Sequence, residues 1–368
     1  MEGPRGLHAE ELSSLGTLVD TVFMPDEPGR MLKIFPSLFN KDNLENLLVF
    51  TDRGAVISHV GMTQRYASLA GCTVKVACIG AVATYEAYRG NGLATQLMEK
   101  AVQKSRADGV DFMLISGGRG LYRRLGAADV GLHHRVHITR PVAEAFKSAD
   151  VTVEPVADSE LPAVMAAYRL RVARFVRPLD DWRWFLETRT CACRDAELLV
   201  VRNDGIFSGY LLTATTMDKG ILQVMEFVGH PFALASAFAA AIEQRNAAGL
   251  TLVLQEEDHA LRELAVAAGI ALEPVHFSGT LLLVNTMQLL QRLQPYFAER
   301  AGMLVANQLK FEEKDGQFTL TWQSKAQSVK GRQALAELLF GNHERSLDST
   351  WTTSFLPAPP LRYGINYV

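Results

Sequence analysis

IGAVATYEAYRGNGLAT, residues 79–95, is the stretch on which the fold turns. Its first half, Ile79 to Thr84, completes a run rich in Val and Ile that begins at Cys72 and has the composition of a β-strand. Its second half places Gly90 and Gly92 at the head of a segment, Asn91 to Arg106, in which Leu93, Leu97, Ala101 and Val102 share one helical face. Glycines let a backbone approach a ligand closely. The first turn of a helix adds about four unpaired N–H groups at the positive end of its dipole. A pyrophosphate suits such a cradle. A plain strand-to-helix turn with Arg89 in solvent uses the same letters, so the surrounding pattern has to decide between the two.

Upstream, apolar residues from Leu7 to Phe23 recur at helical spacing, which predicts an amphipathic helix covering one face of a sheet. Residues 46–52, 54–66 and 72–84 read as an antiparallel meander broken by Asp-Arg-Gly and Ala-Gly turns. Downstream, Asp108-Gly109 stops the helix, DFMLIS (111–116) reads as a strand buried on both faces, and Arg119 to Leu125 begins another helix. Strand, helix, strand, helix describes an α/β unit. The polar piece between Pro141 and Pro155 marks a boundary, with the first domain ending at 142 and a second starting at 150.

The second domain, 150–285, repeats the grammar: a helix from Leu161 to Val172, strands at 196–202, 207–213 and 221–228, a helix from Phe232, a strand at 251–254 and a helix from His259. Its strand-to-helix junction, Val228-Gly229-His230-Pro231-Phe232, has no glycine-rich loop. Residues 286–368 form a third part with a helix at 287–299, a strand at 318–323 and a helix at 331–339. The expected fold class is α/β (α+β), with mixed, mostly antiparallel sheets.

Composition narrows the function. With 48% hydrophobic and 21% charged residues over 368 positions, the chain should fold into two to three domains rather than stay disordered. A formal net charge of −3 offers no basic field for a phosphate backbone, so no nucleic acid partner is expected. No run reaches the roughly 18 apolar residues of a membrane span, and the opening MEGPRGLHAEELSS has no leader pattern, so a cytoplasmic protein without a membrane partner is expected. Cys72, Cys78, Cys191 and Cys193 read as free thiols, and no metal is expected.

Arg89, Gly92 and Ala94 stand where the GNAT superfamily of N-acetyltransferases has Arg or Gln, then after two residues Gly, then after one more Gly or Ala; this segment resembles that signature. The resemblance implies acetyl-CoA (coenzyme A) as cofactor, with the pyrophosphate on the loop amides and the pantetheine arm along Ile79 to Thr84. The cofactor-binding set it implies is Val82, Ala83, Arg89, Gly90, Asn91, Gly92, Leu93, Ala94 and Thr95. Gly120-Leu121-Tyr122-Arg123-Arg124-Leu125-Gly126 resembles the family's helix in which a Tyr precedes a Gly by four residues. Attack of an amine on a thioester requires a proton for the leaving thiolate. A phenol with a pKa of about 10 can donate one to a thiolate whose acid has a pKa of about 8.5. Tyr122 is the expected general acid, against the plainer reading of an aromatic packed beneath the loop.

The three-part order is similar to the enhanced intracellular survival (Eis) group, which has tandem GNAT domains and a sterol-carrier-protein-like third domain; the segment ending Leu338-Leu339-Phe340-Gly341 looks like that module. That resemblance implies a hexamer and a terminal carboxylate, here Val368, as the base. His59, His133, His134 and Glu86 are further candidate proton acceptors, each also readable as an ordinary core or surface group. Trp182, Trp184 and Phe185 could line an acceptor pocket, although packing is the commoner fate of such aromatics. The expected activity is acetyl transfer from acetyl-CoA to a primary amine, of a small and in one version cationic molecule or of a lysine side chain. The alternatives are an acyl-CoA-binding regulator without turnover, and a lipid carrier acting through the third domain.

Overall fold

The structure, a computed structural model, describes residues 1–255, 257–276, 279–322, 325–341, 359–360 and 365–366. The chain opens with strand β1 (Glu2–Gly6), helices α1 (Leu12–Phe23) and α2 (Arg30–Ile34), and the meander β2 (Leu47–Asp52), β3 (Ala55–Leu69) and β4 (Cys72–Thr84). Then come α3 (Leu93–Ala107), β5 (Phe112–Ile115), α4 (Gly120–Arg124), β6 (Leu132–Thr139), α5 (Arg140–Glu144), β7 (Val151–Pro155), α6 (Leu161–Tyr168), β8 (Ala173–Phe175) and α7 (Leu179–Thr188). The next stretch is β9 (Thr190–Cys191), β10 (Arg194–Asn203), β11 (Ile206–Ala214), β12 (Ile221–Gly229), α8 (Pro231–Gln244), β13 (Gly249–Leu254), α9 (His259–Ala267), β14 (Glu273–His276) and β15 (Thr280–Leu283). The last described elements are α10 (Thr286–Arg292), α11 (Gln294–Ala301), α12 (Met303–Ala306), β16 (Lys310–Lys314), β17 (Gln317–Trp322), β18 (Lys325–Lys330) and α13 (Arg332–Phe340).

The hairpins follow from their turn residues. Arg53-Gly54, Ala70-Gly71, Asp204-Gly205 and Asp315-Gly316 are two-residue loops with positive φ at both positions, from 46° to 82°. That is the mirror-image turn whose twist suits antiparallel strands, and glycine at the second place removes half of its steric cost.

Three sheets result. The first runs β1-β2-β3-β4-β5-β15 with β8 added at β3, the second β14-β6-β13-β12-β11-β10-β7 with β9 beside β10, and the third β16-β17-β18. Pairing is antiparallel except at β4–β5 and β12–β13, the two places where a helix carries the chain across. The mixed α/β class expected from the sequence is the one observed. In the second sheet β12-α8-β13-α9 repeats the order β4-α3-β5-α4 of the first.

Three strands lie outside the sheets that their place in the sequence suggests, among them β8, which joins β3 in the first sheet. β6 leaves the first unit and pairs with β13 and β14 in the second sheet, while β15 returns to pair with β5 in the first. The limits at 142–150 and 285–286 are therefore crossed by exchanged strands. Burial accounts for the exchange: Val136 and Ile138 join the core under α8, and Leu281 and Leu283 join that of the first sheet.

The first sheet is covered on both faces. Leu15, Leu18 and Val19 of α1 pack on the side that includes Val74, Val76 and Phe112, while Leu93, Leu97 and Ala101 of α3 pack on the side that includes Ala77, Ile79 and Met113. This is why 112–115 is apolar at every position rather than alternating. Leu289 of α10, Leu293 at the junction of α10 and α11, and Phe297 of α11, with Leu335, Leu339 and Phe340 of α13, are buried in the same cluster as α1, and Phe340 meets Phe112 edge-on at 5.6 Å. The apolar side chains of the third part thus complete the first core.

Local readings differ from the structure in a few places. The α-helix begins at Leu12 after a single 3-10 turn at Ala9–Glu11, and Glu2–Gly6 form β1, an edge strand without apolar alternation. The helix from Leu161 ends at Tyr168, because residues 173–175 extend the first sheet at β3. Trp182 and Phe185 belong to α7, where both are buried; Trp182 packs edge-on against Tyr168 and Tyr210 at 5.8 and 6.5 Å.

Candidate active site

β4 and β5 run parallel from Val76–Phe112 to Ile79–Ile115, and the amide of Ser116 still donates to the Ile79 carbonyl at 3.0 Å. Beyond that point they part. Gly80 faces Gly61 and Ala83 faces His59, so Ala81 and Val82 together oppose one residue of β3. This β-bulge, with Ala81 at φ 51°, bends β4 away from β5. A cleft of about 610 Å³ opens there, walled by Val82, Thr84, Tyr88, Arg89, Gly90, Gly92, Leu93, Ala94 and Thr95 on one side and by Arg119, Leu121 and Arg124 on the other.

The floor of the cleft is the start of α3. Gly90 and Gly92 stand at φ 84° and 74°, a region L-residues seldom adopt, and a Cβ at either would project into open space. The first hydrogen bond of the helix runs from Gln96 N to Gly92 O at 3.1 Å. The amides of Leu93, Ala94 and Thr95 therefore precede the ladder and point out of the helix end. The loop is braced from behind: Asn91 Nδ2 donates to Tyr88 O at 3.1 Å, and Tyr88 Oη donates to Asp52 Oδ2 at 2.9 Å. That hydrogen bond holds the Asp52 carboxyl below its ordinary range and raises the Tyr88 phenol. Arg89 Nε donates to Thr84 O at 3.3 Å, which ties the loop back to the strand. Free helix amides with Arg89, Arg119 and Arg124 around them form a site for a polyanion.

Residues 4–129 match the family described as acetyltransferase (GNAT) domain. This part of the chain is a GNAT domain. Over nearly its full length the chain is similar in fold to solved GCN5-related N-acetyltransferases. That from Anabaena variabilis matches with a TM-score of 0.67 at 18% identity, over 96% of this chain and 93% of that one. That from Kribbella flavida matches at 0.67 and 15%, over 98% and 99%. Eis1 from Mycobacterium abscessus matches at 0.63 and 15%, over 98% of each chain. No curated protein matches the chain in sequence.

The structure brings most of the expected cofactor set to one place. Val82, Arg89, Gly90, Gly92, Leu93, Ala94 and Thr95 of the GNAT domain line the cleft. Ala83 faces the other way, 3% exposed in the core beneath α1, and Asn91 acts on the loop rather than on the cleft wall. Alternation along β4 explains Ala83: neighbouring side chains point to opposite faces. Thr84, Tyr88, Arg119, Leu121 and Arg124 were not singled out from the sequence. Arg119 and Arg124 stand at the two ends of the Tyr-containing helix, but nothing in their spacing marks them as facing the cleft.

Tyr122 is on α4, 2% exposed, within the core that also holds Ile79, Ile115 and Leu97. Its ring lies against the turn where β5 ends, with a methyl added at Gly117 falling 3.8 Å from Cε2. The wall of the cleft next to it is Leu121 and Arg124.

Of the proton acceptors weighed, Val368 lies outside the described residues. His59 is fully buried, with Nδ1 at 3.0 Å from Leu48 O, and burial pushes its pKa down to about 3. His133, in the second sheet, is likewise driven down to about 4 by burial, and burial also lowers His134. Glu86 is exposed on the turn before the loop. Close to the chain's end, Asn366 is 1% exposed; it accepts a hydrogen bond from Arg177 Nε and donates Nδ2 to Asp181 Oδ2 at 2.9 Å.

Proposed function

We propose that this protein is an acetyl-CoA-dependent N-acetyltransferase acting on a primary amine of a small molecule or of a lysine side chain. The observation that carries this reading is the row of amides at 93–95, set behind two left-handed glycines at a cleft that the β4 bulge opens. The Leu93–Thr95 amides, Arg89, Arg119 and Arg124 would hold the phosphates of coenzyme A, and the Val82–Thr84 edge of β4 would hold its pantetheine arm. Bound there, acetyl-CoA supplies an activated acetyl thioester.

The remaining chemistry belongs to the chain. Tyr122, on the helix whose Leu121 and Arg124 line the cleft, is the acid that protonates the departing thiol sulfur. The terminal carboxylate of Val368 takes the proton that the attacking amine gives up. With an ordinary pKa of about 3.3 to 3.7, such a carboxylate is a weak base in water, and it does this best when partly desolvated.

The second sheet fits a GNAT-like unit that has no cofactor loop. Its order of elements repeats the first, but α8 begins at His230-Pro231, and proline removes one of the amides that a phosphate would need. Release of free thiol from acetyl-CoA, screened over polyamines, aminoglycosides and lysine peptides, tests the whole reading. Turnover with at least one amine is expected. Tight binding of acetyl-CoA without turnover of any amine would make the protein an acyl-CoA-binding regulator instead.

A further inference from the structure

The second sheet also parts beyond its parallel pair. β12 and β13 are joined from Ile221–Gly249 to Gln223–Thr251, and past that point a cavity of about 360 Å³ lies between them. Its size falls in the roughly 300–1,000 Å³ range of small-molecule pockets. It shares no wall residue with the cleft of the GNAT domain.

A polar group is stranded in its wall. Gln255, the residue after β13, is 5% exposed, and its side-chain oxygen has no hydrogen-bond partner among the described residues. The backbone around it is held in place, since Gln255 N donates to Asp258 Oδ2 at 2.7 Å. A buried acceptor left unpaired is costly unless something arrives to donate to it.

The charges of the wall are unequal. Arg171 is engaged by Asp258 and Glu257, Arg135 by Glu273, and Glu226 by Arg177. Arg174 and Arg194 face no carboxylate among the described residues; Arg174 gives one N–H to the Arg171 carbonyl at 3.2 Å. Two uncompensated guanidinium groups thus flank a pocket whose floor is apolar, with Val224, Phe227 and Leu252 in its lining.

We propose that this cavity is a second ligand site, which binds a small organic carboxylate that also carries a hydroxyl or amino group. The carboxylate pairs with Arg174 and Arg194, and the hydroxyl or amino hydrogen is donated to Gln255 Oε1. Guanidinium groups suit a planar carboxylate, and the pairing would be charge-assisted. The proposal is independent of the activity assigned to the GNAT domain.

Titration calorimetry of the full-length protein, saturated with coenzyme A so that the first cleft cannot contribute, tests it. The probes are lactate, serine and citrate, with propionate, lactamide and inorganic phosphate for comparison. One of the three hydroxy or amino acids should bind at a single site, lactamide should not bind, and the R174A/R194A variant should bind at least about tenfold more weakly. Arg174 is half-buried and Arg194 exposed, so that variant should keep the fold. Lactate should bind more tightly than propionate in the native protein but not in Gln255→Leu. Absence of binding by all three acids, phosphate binding as tightly as the best of them, or native affinity in the arginine variant would overturn the proposal.

Discussion

Oδ2 of Asp181 accepts hydrogen bonds from both Arg65 Nη1, at 2.7 Å, and Asn366 Nδ2, at 2.9 Å. Arg65 lies on β3 of the GNAT domain, Asp181 on α7, and Asn366 close to the chain's end. Arg177 extends the network: it donates to Asn366 and grips Glu226, whose Oε1 also accepts from Tyr210 at 2.7 Å. A buried ionic network of this kind adds little net stability over an apolar core, but it is costly to break and it specifies one arrangement. Here the arrangement specified is the contact of Asn366 with Arg177 and Asp181.

Asn366→Leu removes a donor and an acceptor from that network. A stability loss of about 2–3 kcal/mol is expected, read from chemical denaturation. If the terminal carboxylate is the base, kcat for acetyl transfer should fall at least tenfold, while KM for acetyl-CoA stays near its native value. An unchanged kcat would detach Val368 from the chemistry.

Gly92→Ala tests the cradle. At φ 74° a Cβ costs about 1–2 kcal/mol, and relieving that strain would turn the amides of 93–95. KM for acetyl-CoA should rise about tenfold. Thermal stability should drop only modestly, because nothing stands within 4 Å of the added methyl.

Tyr122→Phe keeps the ring and removes the acid. As Tyr122 is 2% exposed, the phenylalanine fits its place. Loss of a general acid typically lowers kcat by about 100- to 10,000-fold. A native rate in this variant, measured as thiol release, would leave Tyr122 as packing alone.

Acid should destabilise the protein through its buried histidines. His59 and His133 have pKa values of about 3 and about 4 in the folded chain, against an ordinary 6.5. Below about pH 6.5 the unfolded chain takes up protons that the folded one refuses, so stability falls as pH drops towards 4, by about 1.4 kcal/mol per pH unit for each histidine. Asp111 works against this: burial raises its carboxyl from 3.8 to about 6, so the folded chain protonates it first and gains stability as pH falls through that window. A net loss near that of one histidine is expected between pH 6 and 4, and His133→Leu should flatten it. Denaturation curves at pH 7, 6, 5 and 4 measure both.

Much of the GNAT domain was legible locally. The meander, the turns Arg53-Gly54 and Ala70-Gly71, the helix after Gly92 and the strand at 112–115 all follow from periodicity and turn chemistry within a few residues of each other. The phosphate cradle was legible for the same reason, since helix amides and glycine φ values are local properties. Arg119 and Arg124 escaped, because a surface arginine has no pattern that tells which cleft it will face. Ala83 and Asn91 entered the cofactor set through the family resemblance; the direction of the Ala83 side chain and the hydrogen bond of Asn91 to Tyr88 keep them off the cleft wall.

What the sequence by itself determined is the set of elements and the anion-binding strand, loop and helix, because these depend on φ preferences and on apolar spacing along one segment. The tertiary structure decided the rest. It sent β6 and β15 into each other's expected sheets, used the third part's helices to close the first core, and brought Asn366 to Asp181 across 185 positions of chain. These are pairings between distant segments, chosen by which faces must be buried together, and no local spacing encodes the partner.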